Sequence, residues 1–184
     1  AETGHSAASA GYQTAIRILI FFLLPAWGMA NAAATLVGQN LGAGHPDRAE
    51  KSVKTAALYN TIFMAAVMLF FLAAADVIVG FFTTEADVKR IGVQALRIMS
   101  AGYIFYGIGM VMANAFNGAG DTKTPTWINL FGFWLFQIPL AYLLAKTLEM
   151  GPLGVFIAIP VAETAITIAA WLLFRRGRWK TVAI

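Results

Sequence analysis

Residues 150–174 carry a single charged side chain, Glu163, in an otherwise apolar run. Placing a carboxyl group at mid-membrane costs at least about 2.5–3.5 kcal/mol on insertion scales. Such groups face a bundle interior and mark ion or substrate paths. Pro160 stands three residues earlier. It lacks an N–H, so the carbonyl of Phe156 loses its helical donor. Thr164 and Thr167 lie on the same side of the helix. A carboxyl group beside loosened backbone can bind a cation or exchange a proton, which makes Glu163 the candidate for cation or proton coupling. The alternative is a neutral acid, hydrogen-bonded to a neighbouring helix and without a part in coupling.

Three polar stripes surround this acid in the sequence. Asn31, Thr35 and Gln39 are four residues apart, as are Asn129, Phe133 and Gln137. Tyr103, Tyr106, Met110, Asn114 and Asn117 form the third. Residues three and four apart share a helix face. Amides in lipid need partners, so all three faces are expected to look inward. The candidate cavity wall is Asn31, Thr35, Tyr103, Tyr106, Met110, Asn114, Asn129 and Gln137. Its rings would hold positive charge, its Met would adapt to shape, and its amides would offer hydrogen bonds. The competing reading is hydrogen bonding between helices, favoured for Gln39 and Asn117 near the helix ends. Pro25, Pro139 and Pro160 sit inside apolar runs and are candidate hinges.

The elements that must hold these residues follow from the charges. Of 184 residues, 59% are hydrophobic and 12% charged, about half the charge of a soluble domain. Residues 18–44, 55–75, 98–120 and 124–145 hold no charge at all. A spanning helix needs about 20 apolar residues. The chain is therefore read as an all-α integral membrane protein with five transmembrane helices, at 12–41, 53–75, 95–117, 126–145 and 153–174. Strands of a barrel would be shorter and alternating. Pro46, Pro125 and Pro152 suit first helical positions, and Thr84 to Asp87 reads as a capping box. There is no cysteine, and His5 and His45 are the two histidines. No metal site and no catalytic set is expected, because the spans supply one acid and no histidine.

Basic residues set the orientation. Arg48, Lys51, Lys54, Lys123, Arg175, Arg176, Arg178 and Lys180 fall on one side, against Lys89, Arg90, Arg97 and Lys146 on the other. The richer side is expected in the cytoplasm, with the C-terminus inside. The tail from Arg175 to Lys180 reads as a membrane anchor rather than a nucleic-acid patch. An odd number of spans with an outside start implies a preceding helix.

Three loops stand out. They are Val37-Gly38-Gln39-Asn40-Leu41-Gly42-Ala43-Gly44 with Pro46-Asp47-Arg48-Ala49-Glu50, then Asn117-Gly118-Ala119-Gly120-Asp121-Thr122-Lys123-Thr124-Pro125, then Gly151-Pro152-Leu153-Gly154-Val155. In this order and spacing they resemble the multidrug and toxic compound extrusion (MATE) family of secondary transporters, over essentially the whole chain. The resemblance implies helices eight to twelve of a twelve-helix fold, in which two six-helix bundles face each other across a cavity. This chain would be most of the second bundle, without its first helix. The resemblance also implies export of organic, often cationic compounds, driven by Na⁺ or H⁺ influx through alternating access. It implies no cofactor beyond that ion. Its partners would be the bilayer, the first bundle, the missing helix and a small organic cargo, in a multi-pass protein of the plasma or inner membrane. The family's acid midway along helix ten falls near Tyr106, and no acid lies between Arg97 and Asp121.

Two alternatives keep the membrane fold. A flippase for lipid-linked saccharide would call for many cations along the cavity, and the spans hold almost none. A membrane scaffold without transport is the other.

Overall fold

The computed structural model describes residues 2–181, with side chains from Ser6 onward, so the His5 side chain lies outside the described residues. Six helices follow one another: α1 Glu2–Gly42, α2 Pro46–Gly80, α3 Ala86–Ser100, α4 Tyr103–Gly118, α5 Lys123–Thr147 and α6 Pro152–Arg175. A 3-10 turn, Arg178–Thr181, closes the described chain. α1, α2, α5 and α6 are each long and apolar enough to cross a membrane. α3 and α4 pass that test only as a pair, bent by 53°, and supply the fifth crossing.

That bend corrects the expectation of one helix over 95–117. The turn at Ala101-Gly102 lets α6 approach. A Cβ on Gly102 would lie 2.6 Å from the Pro160 Cβ, so only glycine fits there. The helical ladder resumes with the Tyr106 N–H donating to the Gly102 carbonyl at 3.0 Å. α1 and α2 run past their apolar windows because no breaker stops them before Gly44 and Gly80. Pro46 and Pro152 do open their helices. Pro125, expected at the same position, is instead third in α5. Asp121 starts that helix early: its carboxylate accepts from the Thr124 N–H at 3.1 Å and from the Thr124 hydroxyl at 2.5 Å. No capping box forms at Thr84. Glu85 holds the N-cap position of α3 without a side-chain cap, and its N–H takes the Thr83 hydroxyl as acceptor at 3.3 Å.

α4 is the central post, packed on α1, α2 and α6, while α5 leans on α6 at the edge. α1 turns a row of small residues inward, with Ala26, Ala30, Ala33 and Val37 all buried. Small residues allow close helix approach in a membrane, where van der Waals packing drives association. The closest approach is at Gly118, where an added Cβ would collide with the Ala34 backbone. Between the two halves of the core, the buried Asn60 amide of α2 donates to the Gly107 carbonyl of α4 at 2.9 Å. α5 widens into π-helix over Leu130–Gln137 and Leu143–Thr147, on both sides of Pro139. A π stretch redistributes the hydrogen bonds that a proline disrupts.

The tail folds back as a clasp. Trp179 is buried, stacks on Phe174 with centroids 4.8 Å apart, and donates its indole N–H to the Phe174 carbonyl at 3.0 Å. Lys180 reaches Glu50 at 2.5 Å and Asp47 at 3.7 Å, joining the tail to the start of α2. Lys54 also meets Glu50, at 2.5 Å.

Hydrogen bonds from Lys180 and then Lys54 hold the Glu50 carboxyl below its ordinary 4.5. The bond to Glu50 holds Lys180 above its ordinary 10.5. A lowered acid stabilises the fold above its unfolded value and loses that effect as pH falls through its folded value. The raised lysine does so below its unfolded value and loses the effect as pH rises through its folded one. The clasp is therefore fully charged around neutrality. Lys180→Met should lower stability at pH 7 by at most about 1 kcal/mol, the scale of partly exposed ion pairs. In thermal melts, the gap between variant and parent should close once the pH drops below the folded value of Glu50.

Candidate functional site

Glu163 projects from the middle of α6 into the space bounded by α1, α4 and α5. On one side lies a cleft of about 320 Å³. Its wall takes Trp27 from α1, Tyr106, Met110 and Asn114 from α4, Asn129 and Phe133 from α5, and Glu163 itself. On the other side lies a smaller, largely apolar cavity of about 140 Å³, walled by Leu19, Leu23, Tyr103 and Pro160 among others. Tyr106 and Glu163 line both spaces and so form the partition between them. The Trp27 indole interacts with the Tyr106 hydroxyl. No hydrogen bond or ion pair reaches the Glu163 carboxyl from any described residue. The bond to a neighbouring helix that a purely structural acid needs is thus not made among the described residues. The nearby hydroxyls are engaged elsewhere: Thr164 donates to the Pro160 carbonyl and Thr167 to the Phe105 carbonyl, each at 2.7 Å.

Five of the nine sequence-derived candidates meet in the cleft: Tyr106, Met110, Asn114, Asn129 and Glu163. Asn117 and Phe133 join them. Tyr103 reaches only the apolar cavity, and its buried hydroxyl donates to the Leu19 carbonyl at 3.1 Å. Asn31 and Thr35 are exposed on α1, outside the cleft, with the Thr35 hydroxyl donating to the Asn31 carbonyl at 3.2 Å. The reason is the buried row on α1. It fixes the rotation of the helix, and a four-residue stripe drifts about 40° per step. The stripe touches the cleft at Trp27 and winds away by Thr35. Gln137 lies beyond the cleft, its Oε1 buried and without a partner among the described residues. Pro25 and Pro139 are exposed within their helices, whereas Pro160 packs against Gly102 at the apolar cavity.

Sequence reasoning missed one position of the cleft, Trp27. It stands one step ahead of the Asn31 stripe, and that spacing was the available signal. The Asn60 bond between α2 and α4, a packing contact, left no signal, because a lone amide in an apolar run does not name its partner.

A helical bundle of this shape has counterparts among known proteins. The MatE family model matches residues 2–143. The chain belongs to the MatE family. This MatE chain is 26% identical to multidrug and toxin extrusion protein 1 of Mus musculus, over 95% of its own length and 30% of that protein. It is 31% identical to the probable multidrug resistance protein NorM of Mannheimia succiniciproducens, over 92% of its length and 37% of that protein. It thus spans well under half of these curated relatives. Its fold matches the MATE transporter ClbM, solved in complex with Rb⁺, with a TM-score of 0.89 and 25% identity over 97% of this chain and 42% of that one. It also matches the eukaryotic MATE transporter AtDTX14, with a TM-score of 0.88 and 24% identity over 95% and 39%.

Proposed function

We propose that this MatE chain forms one wall of the transport cavity in a secondary antiporter that exports organic cations against Na⁺ or H⁺ influx. The observation that carries the reading is Glu163, an unpaired intramembrane acid on the partition between a polar and an apolar space. A cationic cargo would neutralise that carboxylate and lay its rings on Trp27, Tyr106 and Phe133, where ring faces attract positive charge. A coupling cation competing for the same carboxylate would make release of cargo depend on ion entry. The cleft of about 320 Å³ is at the lower limit for a small-molecule site. Completion by a facing bundle and by a helix ahead of α1 supports a larger cavity. No Lys or Arg lines the cleft, which favours cationic cargo over anionic lipid-linked saccharide. Within the cell membrane, the richer basic side would face the cytoplasm. The bond from Lys180 to Glu50 supports a shared side for the tail and the α1–α2 turn.

The test is dye flux in vesicles containing this chain assembled with the facing bundle. An imposed Na⁺ or H⁺ gradient should drive a fluorescent cationic dye in the opposite direction. Flux that ignores both gradients overturns the reading.

A further inference from the structure

A second groove, of about 580 Å³, lies between α1 and α2. Successive helical residues are turned by about 100°, which puts this side of α1 opposite Trp27 and away from the cleft. One end of the groove is polar: Asn40 comes from the last turn of α1, and Arg48, Lys51 and Ser52 from the first turns of α2. Moving away from the turn between the helices, the lining becomes apolar along Leu36, Ala32 and Met29 on one wall and ends at Tyr59 on the other. No carboxylate lines it. The neighbouring acids are engaged with other cations: Glu50 meets Lys54 and Lys180, and Asp47 meets Lys180. Arg48 and Lys51 form no ion pair with any described residue.

The dimensions fit one leaflet. From residue 48 to 59, and from 40 back to 29, each wall is about 16 Å long at 1.5 Å per residue. Half of a hydrocarbon core is about 15 Å. A ligand for this groove carries a negative head at the membrane surface and an apolar chain reaching the bilayer centre. We propose that the α1–α2 groove binds one anionic phospholipid, with its phosphate on Arg48 and Lys51 and an acyl chain along Leu36, Met29 and Tyr59. A neutral phospholipid gains the same chain contacts, so the two cations set the preference. Basic pockets between helices at a membrane surface recognise lipid headgroups in this way.

The test needs no transport. The full chain is purified with equimolar phosphatidylglycerol and phosphatidylcholine, and bound lipid is measured by native mass spectrometry. The expected result is one retained phosphatidylglycerol per chain, enriched roughly tenfold or more, since each cation is worth several-fold. The double change Arg48→Gln with Lys51→Gln should erase the preference, and Lys54→Gln, whose lysine is paired with Glu50, should keep it. Ala32→Trp fills the apolar part and leaves the cations in place. It should release the lipid, and it serves where the double variant fails to fold. The proposal is overturned by an absence of enrichment in the parent chain, as when a further protein segment covers the groove. Enrichment that persists in both the double variant and Ala32→Trp overturns it too. So does displacement of the lipid by millimolar glycerol phosphate, which would mark a surface phosphate site without a chain groove.

Discussion

Glu163→Gln is expected to cut gradient-driven export of a cationic dye at least tenfold while leaving the helical fold intact. The change keeps the volume and removes only the ionisable group. A charge pair at 4 Å is worth about 4 kcal/mol at an effective dielectric of 20. Complete loss would reach about a thousandfold, at 1.4 kcal/mol per factor of ten. Hydration of the cleft from its open side reduces this, so the measured fall should lie between those bounds. Glu163→Asp keeps the charge but withdraws it by one methylene, and should recover part of the flux. Circular dichroism and dye flux on the same vesicles separate the site from the fold. Undiminished flux in Glu163→Gln would leave this acid with a packing role alone.

Gly118→Val is expected to lower stability by about 3 kcal/mol, the upper range for overpacking a tight core. The obstacle is backbone. An added Cβ meets the Ala34 main chain, which no rotamer change can move aside. The reciprocal site is close but looser, since a Cβ on Gly38 would lie 3.2 Å from the Gly118 carbonyl. α1 and α4 must therefore separate, and the buried row of Ala30, Ala33 and Val37 loses its contacts. Gly118→Ala should show a smaller loss of the same kind. Gly42→Ala provides the comparison, because nothing lies within 4 Å of the added atom. Thermal unfolding in detergent should rank the three variants, with Gly118→Val melting first. Equal melting of Gly118→Val and Gly42→Ala would contradict the crossing.

The crossings were legible because charge cannot enter lipid cheaply, and the charge-free windows fell where membrane-length helices form. Glu163 was legible for the same reason. The α3–α4 bend was not, since it depends on Gly102 meeting Pro160, two residues far apart in sequence. Nor was the fate of the α1 stripe. Spacing shows that Asn31 and Thr35 share a face with each other, but the direction of that face is set by which row of α1 packs on α4. Ala26, Ala30, Ala33 and Val37 decide it through their size. The clasp was not legible either, because Trp179 and Lys180 do not name their partners in the sequence: the Phe174 ring and the Glu50 carboxylate.

The clasp between Lys180 and Glu50 has a consequence for biogenesis. The chain is made from its N-terminus, so the α1–α2 turn is in place long before Trp179 leaves the ribosome. The clasp forms only if α6 has inserted with its end on the same side as that turn. An inverted α6 would leave the two halves separated by about 30 Å of hydrocarbon. Lys180 would then lose Asp47 and Glu50, while Trp179 would keep Phe174 at the end of its own helix. The ion pair to the α1–α2 turn is thus open only to a chain whose α6 runs in the direction seen here.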